Sequence, residues 1–171
     1  TMIMQLAMMG IQPLIPLYVQ ELAPDTQYLA FFAGLTAASL GAANMLFSPI
    51  LGKLGDKYGS HLVLLFSILG AALFAFPQAF ISQLWQLIVM QFLLGACIGG
   101  LLPSVNTLIG NYAPKGMEST TYGYSNSAMF IGNLMGPTIT GQFTAIFGLS
   151  SMFIWSTTLL LINALVVKFI V

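Results

Sequence analysis

Charged residues are what this 171-residue sequence has least of: Lys and Arg together number four, Asp and Glu together number four, and the charged share is 5%. A soluble domain carries charge on about a quarter of its residues, so this chain has too few charges to solvate a water-exposed surface. The formal net charge is zero, which excludes the basic footprint of a nucleic-acid-binding protein. We therefore expect neither a soluble domain nor a nucleic-acid partner.

Cysteine and histidine are equally scarce, with Cys97 and His61 the sole examples. One cysteine cannot build a disulfide framework, and no cluster of Cys, His and carboxylates offers metal ligands. No glycine-rich phosphate loop follows a strand. An intramembrane serine protease needs a His base at the depth of its Ser nucleophile, whereas His61 follows a run of charged residues. We predict no metal, no cofactor and no enzymatic activity.

Long apolar runs are what the sequence has in abundance: 58% of its residues are hydrophobic and its mean hydropathy is +0.94. Its charged residues are Glu21, Asp25, Lys53, Asp56, Lys57, Lys115, Glu118 and Lys168. The uncharged stretches between them are 1–20, 26–52, 58–114 and 119–167. A membrane span needs about 20 apolar residues, so the first two stretches hold one helix each and the last two hold two each. We predict an all-α membrane protein forming a single six-helix bundle over 1–171, with spans at about 1–20, 28–53, 60–80, 84–110, 121–147 and 149–170.

The lysines set the expected orientation of these spans. Lys53 and Lys57 lie between spans two and three, Lys115 lies between spans four and five, and Lys168 is near the end. Cytoplasmic loops accumulate Lys and Arg, and all four lysines fall on one side. We therefore expect a multi-pass protein of the cell membrane with both ends of this segment in the cytoplasm.

The segment between spans two and three carries the most informative motif, Gly-Lys-Leu-Gly-Asp-Lys-Tyr-Gly-Ser-His over residues 52–61. It resembles the signature loop of the major facilitator superfamily, which lies between the second and third helix of each six-helix half. The basic pair that ends the family pattern is replaced here by Ser60 and His61. The resemblance implies a cytoplasmic gating loop formed by Gly52, Lys53, Asp56, Lys57 and Gly59.

The residue types of this segment also suggest its physical role. Glycines permit a sharp turn and a close approach of two backbones. Asp56 could accept hydrogen bonds from the open amides at a neighbouring helix N-terminus, whose dipole favours a negative charge. We therefore expect a tight turn in this segment.

A second motif occurs in span five, where Gly132, Gly136, Pro137 and Gly141 resemble the antiporter motif of drug:proton exporters in that superfamily. Thr140 stands where the family often has another glycine. Small residues four apart let helix backbones touch in lipid, and proline bends the helix, so the motif also fits a structural kink at a helix crossing, which is compatible with a gating role. Span four has a similar spacing at Gly95 and Gly99.

Span four lacks the arginine that these exporters commonly place four residues before its glycine, and Gln91 occupies that position. No Asp, Glu, Arg or Lys lies in the middle of any predicted span, although proton-coupled transporters normally use such residues. This pattern resembles the C-terminal half of a twelve-helix exporter, with the coupling groups in the other half.

Isolated amides in the spans are the candidates for a substrate cavity. Gln12 is the strongest, because Pro13 and Pro16 interrupt the helix beside it. Each amide could equally bond a neighbouring helix. The candidates are Gln5, Gln12, Asn44, Gln91, Asn106, Asn126 and Asn133.

The ten methionines favour a plastic apolar cavity. Together with the motifs, they predict export of small lipophilic compounds by alternating access in the bilayer, proton-coupled in the full assembly. Uptake of a sugar is less favoured, because a sugar site needs many converging polar partners.

A chain of six helices is also compatible with a protein of half the usual size. A half-sized protein would have to pair with a second six-helix bundle, either a missing half or another copy of itself, and could be a homodimeric facilitator or a regulatory subunit. The start at Thr1 rather than Met favours a fragment.

Overall fold

The computed structural model describes residues 1–24, 28–114 and 116–170. These residues form six helical segments joined by short connections, and the all-α membrane fold with six helices is confirmed. Asp25 and Lys115, two charges used to place loops, lie outside the described residues. The segments are α1 (Met2–Leu22), α2 (Leu29–Tyr58), α3 (Ser60–Phe80), α4 (Leu84–Tyr112), α5 (Glu118–Phe147) and α6 (Ser151–Ile170).

Helix α5 differs from the other five in composition. Those five are long and apolar enough to cross a membrane, whereas α5 has 30 residues but carries a polar first third. It begins at Glu118 rather than at the predicted residue 121. An acidic residue in the first turn complements the helix dipole, and the Glu118 carboxylate also accepts a hydrogen bond from the Gly116 N–H at 3.0 Å.

Three of the helices change geometry along their length. In α1 the α-helix ends at Ile11, a 3-10 turn covers Gln12–Leu14, and the α-helix resumes at Ile15. Pro13 and Pro16 lack the N–H groups that would continue the hydrogen-bond ladder. Helix α3 closes with the 3-10 turn Phe76–Phe80, and α4 is interrupted by two glycines between Ile98 and Leu101.

The helices pack in a symmetric pattern. The most extensive contacts join α1 to α5, α2 to α4 and α3 to α6, and further contacts join α1 to α6 and α3 to α4. If α1, α2 and α3 are exchanged with α4, α5 and α6 respectively, each pair becomes another pair of the same set. This is the pattern expected for a bundle built from two inverted repeats. The pair α3 and α6 therefore lies in the middle, and each also exposes large apolar side chains such as Phe66 and Phe169.

The α1–α5 pair is held at backbone distance by glycines. A Cβ added at Gly132 would lie 2.6 Å from the carbonyl oxygen of Met2, and one at Gly136 would lie 2.9 Å from that of Leu6. Gly10 of α1 faces Gly136 and Thr140 in the same way. Because side chains would separate the helices, this crossing requires glycine on both partners.

The α2–α4 pair forms the equivalent crossing with its glycines on α4. A Cβ at Gly99 would lie 2.9 Å from the backbone nitrogen of Ser48 and 3.1 Å from the carbonyl oxygen of Asn44. Gly95 meets the backbone of Leu40 one turn earlier. The glycine spacing in span four therefore marks a helix contact.

One member of the predicted α5 motif is not part of this packing. Gly141 has no atom within 4 Å of an added Cβ, whereas the neighbouring Thr140 is buried against Gly10. The contacting positions are Gly132, Gly136 and Thr140, which recur every four residues along one helix face. Gly141 is one residue further along and points away from α1. Pro137 lies inside α5 without ending the helix.

These glycines give a matched pair of substitutions. We expect Gly136→Ala to destabilise the protein by about 1–3 kcal/mol, because the new methyl group meets fixed backbone. Gly141→Ala, in open space on the same helix, should be neutral or stabilising by up to about 1 kcal/mol through helix propensity. Thermal unfolding in detergent micelles measures both changes. Equal unfolding temperatures for the two variants would contradict the close crossing.

Candidate functional site

The predicted gating loop is helical in the structure. Helix α2 continues through Gly52, Lys53, Asp56 and Lys57 to Tyr58, and Gly59 alone makes the turn, with φ 101°. Nothing before Gly59 in this segment forces a break, since Lys, Leu and Asp are all compatible with a helix. A left-handed backbone angle favours glycine, so the sharp reversal into α3 is confined to one residue.

The helical path also changes the surroundings of Asp56. Its side chain is exposed, and at the start of α3 the Leu62 and Val63 amides donate to the carbonyl oxygen of Gly59. Asp56 instead lines a cleft of about 310 Å³ between the end of α2 and the second part of α4. Ser104 and Asn106 lie on the opposite wall. The acidic group therefore faces a polar cleft beside α4.

Two of the predicted cavity residues, Gln12 and Gln91, line one cavity in the middle of the bundle. We call it the central cavity, and its wall also includes Ser156 of α6 and aliphatic side chains such as Met8, Ile11 and Leu40. Gln12 is exposed at the 3-10 turn of α1, while Gln91 is only 3% exposed. Its volume is about 30 Å³, which is room for a water molecule and well below the volume of a site for a drug-sized ligand.

Gln91 belongs to a buried network of hydrogen bonds. Its side-chain Nε2 donates to Oε1 of Gln78 at 3.1 Å, and Gln78 Nε2 donates to the carbonyl oxygen of Phe74 at 2.9 Å. The Tyr18 hydroxyl donates to the Gln78 carbonyl oxygen at 2.8 Å. The Tyr18 ring packs edge-to-face on Phe153, with centroids 5.1 Å apart. This network ties α1, α3 and α4 together beside the central cavity.

The other five amide candidates do not line the central cavity. Gln5 lies at the α1–α5 crossing beside Gly132, and Asn44 lies at the α2–α4 crossing. Asn106 borders the Asp56 cleft, and its carbonyl oxygen accepts the Tyr122 hydroxyl at 2.8 Å. The remaining two are on α5, where Asn126 is exposed and Asn133 has a buried Oδ1 with no partner among the described residues.

Sequence reasoning missed several residues of this region. Gln78 lies within the predicted span 60–80 and was not among the candidate amides, yet its side chain is fully buried. A lone Gln in an apolar stretch was the available signal, since a buried amide needs partners. Gly10 and Ser156 belong to no sequence motif. Only the fold shows that Gly10 contacts α5 and that Ser156 lines the central cavity.

Comparison with known proteins decides the family. The profile of the Major Facilitator Superfamily matches residues 1–171. The chain belongs to this superfamily. It is accordingly a multi-pass membrane protein, and the superfamily comprises transporters rather than enzymes.

Its relatives include the multidrug resistance protein MdtG of several bacteria. The protein from Dickeya zeae is 38% identical over 164 residues, which cover 96% of this chain and 40% of that protein. The protein from Serratia proteamaculans is 39% identical over the same coverage. The protein from Salmonella typhimurium is 36% identical over 165 residues, covering 96% of this chain and 41% of that protein. The chain thus spans about two fifths of the length of these relatives.

The buried network predicts the effect of removing one hydroxyl. We expect Tyr18→Phe to lower the free energy of unfolding by about 1–3 kcal/mol, because the Gln78 carbonyl loses its donor inside the bundle. Tyr124→Phe is the control, since this tyrosine is 75% exposed on α5. Thermal unfolding of both variants in detergent tests the network, and a Tyr18→Phe protein as stable as the control would contradict it.

Proposed function

We propose that this bundle is one half of a secondary active transporter that exports lipophilic, drug-like compounds by alternating access. The observation that carries the proposal is the similarity of nearly the whole chain to multidrug resistance proteins of the same superfamily. Two bundles that rock about a site near the membrane midplane are the general arrangement of such transporters.

The residues around the central cavity, rather than its volume in this structure, are compatible with a lipophilic substrate. Its wall is mainly aliphatic, its polar groups are amides and a hydroxyl, and Met8 adds an adaptable surface. Among the described residues, charged side chains occur only near helix ends, as with Lys53 and Lys168. We therefore place the groups that would couple transport to protons in the second six-helix bundle.

The two longest helices support the need for that second bundle. Only Thr36, Ala43 and Gly55 are buried among the 30 residues of α2. In α5 only the face that contacts α1 is buried. The same surfaces would also fit another copy of this chain, so a homodimeric facilitator is the alternative.

The first prediction from this proposal concerns export itself. In cells expressing the complete transporter, meaning this bundle with its second half, Gln12→Ala should reduce efflux of a lipophilic dye roughly fivefold, as expected for one lost hydrogen bond. Asp56→Asn should also slow efflux, because it removes the only carboxylate lining its cleft. Thr158→Ala, on the exposed surface of α6, is the control.

Efflux must be compared at equal amounts of protein in the membrane. Unchanged efflux in both test variants would reject the residue assignments. Absence of dye efflux by the unmodified transporter would reject the export proposal itself.

The second prediction concerns orientation, which we propose to have both ends of this bundle in the cytoplasm. In a Cys97→Ser background, Ser82→Cys should react with a membrane-impermeant maleimide on intact cells, because it lies in the α3–α4 connection. Lys57→Cys, at the α2–α3 turn, should react only after the cells are permeabilised. Both positions are exposed, so accessibility differs only by membrane side. The reverse labelling pattern would overturn this orientation.

A further inference from the structure

An apolar groove lies between α2, α3 and α4, close to the α2–α3 turn. Its volume is about 400 Å³, against about 30 Å³ for the central cavity. No charged side chain is among the described residues that line it. Its walls include Phe47, Leu51 and Leu54 of α2 and Val63 and Phe66 of α3. The groove therefore has room for part of a hydrocarbon chain, which the central cavity has not.

The position of α3 indicates that this groove opens to lipid. Phe66, on the α3 wall, is 69% exposed. Helix α3 lies in the middle of the bundle, whereas we place the second bundle against the open faces of α2 and α5. An empty groove would forfeit the van der Waals contacts that its walls can make. Acyl chains are the apolar groups that a bilayer supplies to fill it.

The groove runs along one face of α2 toward the membrane surface. Phe47, Leu51, Leu54 and Tyr58 follow one another at intervals of three or four residues, so they share a helix face. The rise from Phe47 to Tyr58 is about 16 Å at 1.5 Å per residue. The hydrocarbon layer of one leaflet is about 15 Å thick. This face therefore has the length of an acyl chain that reaches from the headgroups to the midplane.

A positive charge lies at the headgroup end of this face. The Lys57 Nζ is 5.1 Å from the centroid of the Tyr58 ring, which brings the ammonium group toward the groove, and both residues are exposed. Asp56 is turned about 200° around the helix from Leu54 and lines the separate cleft beside α4. A phosphate at the end of the groove would therefore meet an ammonium group rather than a carboxylate.

We propose that this groove binds one acidic phospholipid, with an acyl chain along α2 and the phosphate at Lys57. A zwitterionic phospholipid offers the same chains, but its own ammonium group cancels the charge that Lys57 attracts. The inference goes beyond the proposed export function and does not rest on it. It is also independent of orientation, because a headgroup layer lies at both faces of the bilayer.

Two lipids that differ only in the headgroup test this site. The complete transporter, purified in detergent and freed of lipid, is titrated with phosphatidylglycerol or with phosphatidylcholine of identical acyl chains. Native mass spectrometry measures the fraction of protein that carries each lipid. We expect phosphatidylglycerol to bind about fivefold more tightly, as for one lysine near a membrane surface. Glycerol phosphate, which has the phosphate but no acyl chain, should not displace it.

A matched pair of lysine variants locates the preference. Lys57→Gln should make the two affinities nearly equal by weakening phosphatidylglycerol alone. Lys168→Gln removes the same charge from an exposed position in the last turn of α6 and should leave the preference unchanged.

A third variant tests the groove itself. Ala96 lies in its α4 wall, and Ala96→Phe should weaken both lipids at least threefold without changing their ratio, because the new ring occupies the space of the chain. Phosphatidylglycerol with short acyl chains tests the same point on the unmodified protein, and it should bind less tightly than the long-chain lipid.

Several outcomes would overturn the inference. Equal affinity of the two lipids for the unmodified transporter, or a preference that persists in Lys57→Gln, would exclude selection by this lysine. The same loss in Lys57→Gln and Lys168→Gln would assign the preference to the general charge of the membrane face. Displacement by glycerol phosphate, or equal binding of short and long chains, would exclude the groove. Each of these results would leave the export proposal intact, because dye efflux tests that separately.

Discussion

Direct contact between helix backbones at two crossings is the constraint on which the rest of this bundle depends. Within a bilayer the hydrophobic effect does not drive helices together, so association relies on close van der Waals packing. Glycines at 132 and 136 of α5 and at 95 and 99 of α4 remove the side chains that would prevent it. The close approach of α5 to α1 and of α4 to α2 then determines where every other helix can lie.

The central pair of helices follows from these crossings. With α1 joined to α5 and α4 joined to α2, the apolar helices α3 and α6 fill the space between the two units. Helix α3 has the highest hydropathy of the candidate spans and half of its apolar window is buried, as expected for a helix with neighbours on several sides. Helices α2 and α5 remain at the two ends of the arrangement, where most of their surface stays open.

The sequence allowed the number of helices and a close helix contact on span five to be predicted, because both depend on local patterns, but it did not identify α1 as the partner. Sparse charges divide the chain into apolar runs, and the spacing of Gly132 and Gly136 indicates a helix contact. Gly141 belongs to the motif but not to the α1–α5 contact, because a motif records neighbours in sequence, whereas packing follows the helix period that selects Thr140. The gating segment was expected to be a turn because glycine adopts backbone angles that other residues avoid. Among its residues, however, only Gly59 has a left-handed backbone angle.

Only part of the central cavity could be predicted from the sequence. The part that could not be predicted is the set of hydrogen bonds that orients its polar side chains. Gln12 and Gln91 stood out as amides in apolar runs, but their sequence positions do not reveal which atom of each amide is free. That depends on Phe74, whose carbonyl orients Gln78, and through it Gln91, from another helix. This chain of hydrogen bonds therefore fixes the orientation of Gln91 in the wall of a cavity that no described charged side chain lines. A membrane protein can in this way hold amides inside its bundle while avoiding the cost of burying an ion in the bilayer.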